Sequence, residues 1–381
     1  MSAGIRIPLL VPELPTLDSL TPYLKRIDER RWYSNFGPLV QELESRISAS
    51  FDATQNDELP RHAVTVSNAT AGLEIALRAL RLPHGARVLV PALTFVASAT
   101  AALSAGLTPV VADVDADNWL LTPDIARAAA KQLTLGAVLP VATFGAAQDV
   151  QGWSDFHAAT GLPVVIDAAA AYGNQLDSGP TCAVFSLHAT KPLASGEGGV
   201  IVTRSAEFAA TVRQLSNFGI DLSGKQGVPV GSTTLVGTNA KMSEYHAAIG
   251  LASLDVWPET MRRRRRMFEQ YSRVINANSK SVGNLAWQRM DADAVRSVCC
   301  VLLASQSARD QAESVMTARG IATRRWYLPL INQHPAFQEF AHLPCPNAEE
   351  IAGRLLGIPF HLSLSAEDHL DIARCLDSDV A

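Results

Sequence analysis

No Cys-x-x-Cys pair, no His-Glu-x-x-His run and no long apolar stretch occurs anywhere in this chain of 381 residues. The five cysteines, Cys182, Cys299, Cys300, Cys345 and Cys375, are scattered and odd in number. Neither a zinc site nor a disulfide framework is expected from them, no metal is expected elsewhere, and a reducing compartment is the natural setting. No charged-then-apolar leader opens the chain and no run is long enough to span a bilayer, so the expectation is a soluble cytoplasmic protein. An excess of positive charge is also missing. The formal net charge is −5, which gives no reason to expect a nucleic acid or an anionic membrane as partner. The run Arg262 to Arg266 stands against this only locally. It lies in "PETMRRRRRMFEQYSRVI", whose apolar residues recur at helical spacing, and reads as a solvated helix face. A dinucleotide-binding GxGxxG is absent too; "GEGG" at 196–199 is not that motif.

What is present is material for a large core: 48% of residues are hydrophobic and 18% charged, in a chain long enough for two or three domains. Short β-branched runs alternate with alanine-rich amphipathic stretches over most of the first 250 residues. Strands are expected at 62–67, 108–114, 136–145, 162–171 and 182–189, and a strand and loop at 86–95. Helices are expected at 68–80 and 96–106, and from Thr122 onward. Such alternation predicts an α/β domain around a mostly parallel sheet, with ligands at the carboxyl ends of the strands. Past Asp255 the texture changes. A charged helix (258–276), a strand (297–305) and a helix (308–320) predict a second, smaller α/β domain, hinged near Leu254 to Pro258. The divisions expected are a proline-rich N-terminal arm (1–30) that wraps back onto either domain, a large domain (31–254) and a small C-terminal domain (255–381).

Four features fall at strand ends. "VSNATAG" sets small residues at a strand-to-helix junction, where free N–H groups suit a phosphate; ordinary capping by Ser67 or Asn68 is the alternative. Phe95 ends "PALTF", as a core aromatic or as a platform for a planar ring. Asp167 ends the apolar "PVVID", as a helix cap or as a carboxylate that needs a cation or several donors. Lys191 lies between an apolar strand and a glycine-rich turn, as a lysine that snorkels to solvent or as a nucleophilic amine of lowered pKa. Together the four are the parts that pyridoxal phosphate (PLP) asks of a protein.

With these residues in view, the chain resembles the DegT–StrS family of fold-type-I PLP aminotransferases, the sugar aminotransferases. The resemblance runs through "WYSNFGPLVQELE" (32–44), "SNATAGLEIALRAL" (67–80), "VLVPALTFVASATAALSAGLTPVVADVD" (88–115), "PVVIDAAAAYG" (163–173), "FSLHATKPLASGEGG" (185–199), "LVGTNAKMSEYHAAIGLASLD" (235–255) and "INQHPAF" (331–337). It implies a mostly parallel seven-stranded sheet flanked by helices, plus the smaller C-terminal α/β domain. It implies that Lys191 holds the cofactor's aldehyde, that Asp167 pairs with the pyridine nitrogen and that Phe95 stacks on the ring. Ala69 and Thr70, joined by Ser186, would bind the phosphate. Asn239 would be lent to a neighbouring subunit's phosphate, so a homodimer is implied. Trp32, Tyr33, Asn35, His188, Arg324, Arg325 and Tyr327 are substrate candidates; solvation is the alternative for the arginines.

Two departures stand out. Family members often read "DAAQAHG" where this chain reads "DAAAAYG", with Ala170 for the glutamine and Tyr172 for the histidine. The implied reaction moves an amino group from L-glutamate to a ketone on a nucleotide-linked deoxysugar (dTDP-, UDP- or GDP-), for amino-sugar biosynthesis. A surface glycan such as a lipopolysaccharide O-antigen and a secreted antibiotic stay open as its destination. The alternatives are transamination of another ketone, such as a cyclitol, or a PLP-dependent sugar dehydratase. His188 precedes Lys191 by three residues and is not the histidine that replaces this lysine in dehydratases.

Overall fold

The computed structural model describes residues 4–53, 59–222, 229–278 and 285–376. The first three residues of the expected arm and the last five of the expected C-terminal domain lie outside the described residues. Seven short strands dominate the first half: β1 (His62–Val66), β2 (Arg87–Pro91), β3 (Thr108–Ala112), β4 (Ala137–Val138), β5 (Val165–Asp167), β6 (Cys182–Ser186) and β7 (Gly199–Thr203). Two ladders, β3-β2-β4 and β5-β6-β7-β1, are joined by bridges between Val138 and Val164 and between Val141 and Asp167. The result is one seven-stranded surface, in which β7 alone runs against its neighbours.

These strands are apolar on both faces because both faces are covered, as parallel sheets require. Alternate residues sort cleanly. Val66, Val88, Val90 and Val184 join one core, while Leu89, Val110, Ala183 and Phe185 join the other. The strand expected over 136–145 ladders with β2 only at Ala137 and Val138, and past Pro140 it keeps a single bridge, from Val141 to Asp167. Pro140 has no N–H to donate, though its carbonyl accepts from Asp167 N (2.9 Å), and after Ala142 the chain enters a single 3₁₀ turn, Thr143–Gly145. Helix starts follow side-chain caps legible in the sequence. Asn68 accepts from Ala71 N before helix Ala69–Ala79, and Thr122 accepts from Ile125 N before helix Pro123–Gln132.

The later chain forms an antiparallel sheet of β8 (Ala286–Trp287), β9 (Cys299–Leu302) and β10 (Leu355–Ile358), in the order β10-β9-β8. Met267, Tyr271, Ala312, Met316 and Ile372 cover it from three helices. Not all of the chain past residue 255 belongs to this core. Leu330, Ile331, Phe337 and Ile351 pack into the large sheet's core instead. His342 bridges Val111 on the edge strand β3, which shields that edge from pairing with another chain. The first residues cross the small sheet, where Ala322 N donates to Ile7 O (2.9 Å) and Phe360 N to Leu9 O (3.0 Å). The helix Leu17–Arg30 then packs on helix Glu244–Asp255, where Tyr23 Oη donates to Asp255 (2.8 Å).

One expectation fails in the arginine run. Arg264, on helix Trp257–Asn278, is buried. It donates to the carbonyls of Arg296 (2.9 Å) and Ser297 (3.3 Å) and lies over the Phe360 ring. Helical spacing turns every third or fourth residue inward, and the long stem of Arg264 fills that place. Arg262, Arg263 and Arg266 are exposed.

Helix Pro38–Asp52 has no capping side chain of its own, because Gly37 precedes it. The buried carboxylate of Glu244 takes over, accepting from Leu39 N (2.9 Å) and Val40 N (2.8 Å). A Cβ at residue 37 would lie 2.6 Å from that carboxylate, so glycine is required. Glu244→Ala strands two buried donors and is expected to destabilise the fold by about 3 kcal/mol, with Glu244→Gln losing about half of that. Urea-unfolding midpoints of the three proteins check this.

Candidate active site

The site is assembled at the carboxyl ends of four parallel strands. β1 runs into the start of helix Ala69–Ala79. β2 leads through Thr94 to Phe95 and Ser98, β5 ends on Asp167, and β6 ends on Ser186, five residues before Lys191. β7 returns antiparallel from the lysine turn, and its first residue, Gly199, pairs with Ser186. A Cβ on Gly199 would lie 2.8 Å from Ala69 N. That close approach sets Ser186 beside the start of helix Ala69–Ala79. Asn68 satisfies Ala71 N and its carbonyl satisfies Gly72 N. Among the described residues no hydrogen bond uses the N–H groups of Ala69 and Thr70. Capping and anion binding are therefore compatible here. The cap serves the third N–H and leaves the first two free.

Asp167 is buried, and no helix follows it; the alanine run turns instead. Its oxygens accept from Ser98 Oγ (2.8 Å) and Ala169 N (3.1 Å). Burial pushes its pKa up, opposed by the Ser98 and Ala169 hydrogen bonds and by the Lys191 charge. Ser98 escaped the sequence reading; its only signal was its place one turn past Phe95. Lys191 is held in a tight connection. Lys191 N donates to His188 O (2.8 Å), Leu187 N to Gly198 O (2.9 Å) and Ser195 N to Leu187 O (2.7 Å). Burial lowers the Lys191 pKa, and the Asp167 charge works against that shift. Among the described residues no hydrogen bond or ion pair engages its ammonium. The turn also faces Leu10 to Glu13 of the arm, with Arg264 and Phe360.

Of the other candidates, Phe95 is half exposed, with Tyr327 against it (6.1 Å between ring centroids, 47°). Tyr327 also stacks on Phe144 (5.3 Å, 14°), whose part the sequence did not reveal. Arg324 lies over the Trp326 ring (4.1 Å). Arg325 is taken up by Asp310 (2.9 Å) and Glu313, which compensates its charge within the small domain. His188 reaches Thr190 (2.9 Å) and Glu197 (3.6 Å). Trp32 and Tyr33 have contacts of their own. Tyr33 is stacked on Tyr245 (6.2 Å, 16°), Trp32 donates to Ser34 O, and Asn35 has a left-handed backbone (φ 59°). Among the described residues no hydrogen bond, ion pair or ring contact links these three to Lys191 or Asp167. Asn239 accepts from Lys241 Nζ (2.6 Å) at the surface. Tyr172 turns into the core between Phe185 (5.7 Å) and Trp257 (5.3 Å). Its difference from the family histidine is thus a matter of packing.

These groups fit a phosphorylated pyridine aldehyde: two free helix N–H groups and a hydroxyl for the phosphate, a buried carboxylate for the ring nitrogen, and an unpartnered amine for the aldehyde. Among the described residues no cluster suits a metal ion, and no helix is long and apolar enough to cross a membrane.

Comparison with known proteins agrees. The family model described as the DegT/DnrJ/EryC1/StrS aminotransferase family matches residues 18–377. The chain is 28% identical to dTDP-4-amino-4,6-dideoxy-D-glucose transaminase of Escherichia coli, over 97% of this chain and 98% of that protein. The crystal structure of DesI with its TDP-sugar product superposes with a TM-score of 0.84 at 33% identity, covering 98% of this chain and 93% of that one. NtdA of Bacillus subtilis with bound cofactor PMP shares the fold, with a TM-score of 0.83 at 22% identity over 98% and 86% of the two chains.

The raised Asp167 pKa makes a stability prediction. A carboxyl whose folded pKa lies above its unfolded value loses stability as pH rises through the folded pKa. Without cofactor, Asp167→Asn is therefore expected to unfold at higher urea than the wild type at pH 7. The gap narrows as pH falls towards the ordinary aspartate value of about 3.9. Urea titrations of both apoproteins across that range check it.

Proposed function

The chain belongs to the DegT/DnrJ/EryC1/StrS aminotransferase family, and on that premise we propose that it transfers the amino group of L-glutamate to a keto group of a nucleotide-linked deoxysugar. It is a PLP-dependent transaminase. The observation that carries the site assignment is the Lys191 amine, half-buried, partly desolvated, without a hydrogen-bonding partner among the described residues and in electrostatic reach of Asp167.

When bound, PLP supplies an electron-withdrawing ring that stabilises negative charge at the substrate's Cα. The chain's own groups do the rest. Lys191 Nζ, its pKa lowered by burial, is free to hold the cofactor and then to take and return the Cα proton of the donor. Asp167 accepts from Ser98 and Ala169, which favour its charged form, and would hold a proton on the ring nitrogen. Ala69 N, Thr70 N and Ser186 Oγ would anchor the phosphate. Phe95 would cover one ring face.

The nucleotide-sugar acceptor is supported by what two relatives act on or bind, the E. coli dTDP-sugar transaminase and DesI with its TDP-sugar. Arg324 is the substrate cation of this reading, since Arg325 is compensated by two acids. Retention of Lys191 favours transamination over dehydration. A homodimer is supported by Asn239, exposed beside the exposed apolar Phe218 and Val236, where a second copy would receive it. The cytoplasm and the three-part division into arm, large domain and small domain complete the reading.

The first test is the visible spectrum of the protein loaded with PLP, before and after L-glutamate. A long-wavelength band that collapses on adding glutamate supports the donor half-reaction; an unmoved band overturns glutamate as donor, and no band overturns the site assignment. Lys191→Ala is expected to lower turnover by about 10⁴-fold while retaining cofactor. Wild-type turnover in that variant overturns the role of Lys191.

A further inference from the structure

We infer that Tyr327 is a positioning residue for the cofactor ring: held by the small-domain loop, it fixes the Phe95 ring that would cover the cofactor. The inference rests on the reading of Phe95 as the stacking residue. Phe95 stands at the end of β2 with 50% of its surface exposed, so its own loop does not immobilise it. Among the described residues, the one aromatic ring paired with it is Tyr327. Tyr327 lies nearly flat on Phe144, and Phe144 meets Trp119 edge-on (6.3 Å, 86°). Both Phe144 and Trp119 are buried. Four rings thus form a column from the core of the large sheet to Phe95. Its second-outermost member comes from a different part of the chain.

The loop that carries Tyr327 is fastened at both ends. Arg324 N and Gly357 N each donate to the other's carbonyl (3.1 and 2.8 Å), tying its start to β10. Ile331 N donates to Ala92 O (3.2 Å), tying its end to the segment that leads to Phe95. Trp326 meets Tyr327 edge-on (5.4 Å) and lies over Gly357 so closely that a Cβ there would collide with it. The position of Tyr327 is therefore set jointly by the small sheet at Gly357 and by the large domain at Ala92 and Phe144, and the loop connects the small sheet to Phe95. Burial and the Asp167 charge push the phenol well above its ordinary pKa, against the pull of Arg324. The hydroxyl stays neutral at physiological pH, and the ring is the part that acts.

Cofactor dissociation constants and the visible circular dichroism of bound PLP, measured on the full chain, test this in Tyr327→Ala, Tyr327→Phe, Phe95→Leu and the Phe95→Leu/Tyr327→Ala double variant. Loss of one aromatic pairing predicts binding weaker by roughly threefold to tenfold in Tyr327→Ala, with a diminished dichroic band. Tyr327→Phe should stay within about twofold of wild type, since it keeps the ring. The double variant should bind no more weakly than Phe95→Leu alone, because Tyr327 acts through Phe95. Unchanged binding and dichroism in Tyr327→Ala overturns the inference. So does a Phe variant as impaired as Ala, which would make the hydroxyl the acting group, and so does strict additivity in the double variant. Failure of the premises shows differently: Phe95→Leu without effect removes Phe95 as the stacking residue, and a wild type with no visible band removes the cofactor site. Thermal midpoints of the apoproteins within a few degrees of one another separate a lost position from a lost fold.

Discussion

Two opposite charges held in one desolvated place, without touching, are what the rest of this structure serves. Asp167 has two neutral donors, and Lys191 has none. Burial raises the pKa of one and lowers that of the other, and each charge moderates the shift of its counterpart. Left alone, this is an unfavourable use of core space. It persists because packed elements hold it: β5 and β6 are neighbours in the sheet, helix Ala97–Ser104 brings Ser98, and the lysine turn is closed by its own backbone. An organic ring carrying a phosphate, a basic nitrogen and an aldehyde would give both charges a partner at once.

The sheet explains why the parts meet. Its parallel strands point their carboxyl ends the same way, and the antiparallel β7 folds back so that Gly199 touches the start of helix Ala69–Ala79. That one contact joins Ser186, Ala69 and Thr70 across more than a hundred residues of sequence. The buried Glu244 does comparable work beneath, by starting helix Pro38–Asp52 from a helix two hundred residues later. The small sheet then closes over the Phe95 side through the loop that carries Tyr327, while Asp113 accepts from Asn347 N and Ala348 N and binds the next helix to β3.

Much of this was legible in the residues. Apolar runs of five or fewer residues, set between capped helices, announce an α/β sheet with both faces covered. Asn68 and Thr122 mark helix starts, and Asp167 and Lys191 stand out as charges that a core would otherwise exclude. Where the reading slipped, the cause was local. Pro140 cannot continue a ladder, so the strand at 136–145 is cut short. Arg264 lies on the inward turn of a helix whose other arginines are wet. Arg325 looked like a substrate cation until Asp310 and Glu313 came to lie beside it.

By itself, then, the sequence determined the fold class, because periodicity and capping are properties of neighbouring positions; its motifs carried the resemblance to the family, and a rare charge in an apolar setting singled out Asp167 and Lys191 as candidates. Only the tertiary structure decided which distant residues serve the four strand-end features. Ser98 on Asp167, Gly199 against Ala69, and Phe144 and Tyr327 behind Phe95 depend on strand order and on where a second sheet docks. No periodicity along the chain records such contacts, since their energy arises between segments that approach each other only once the core has closed.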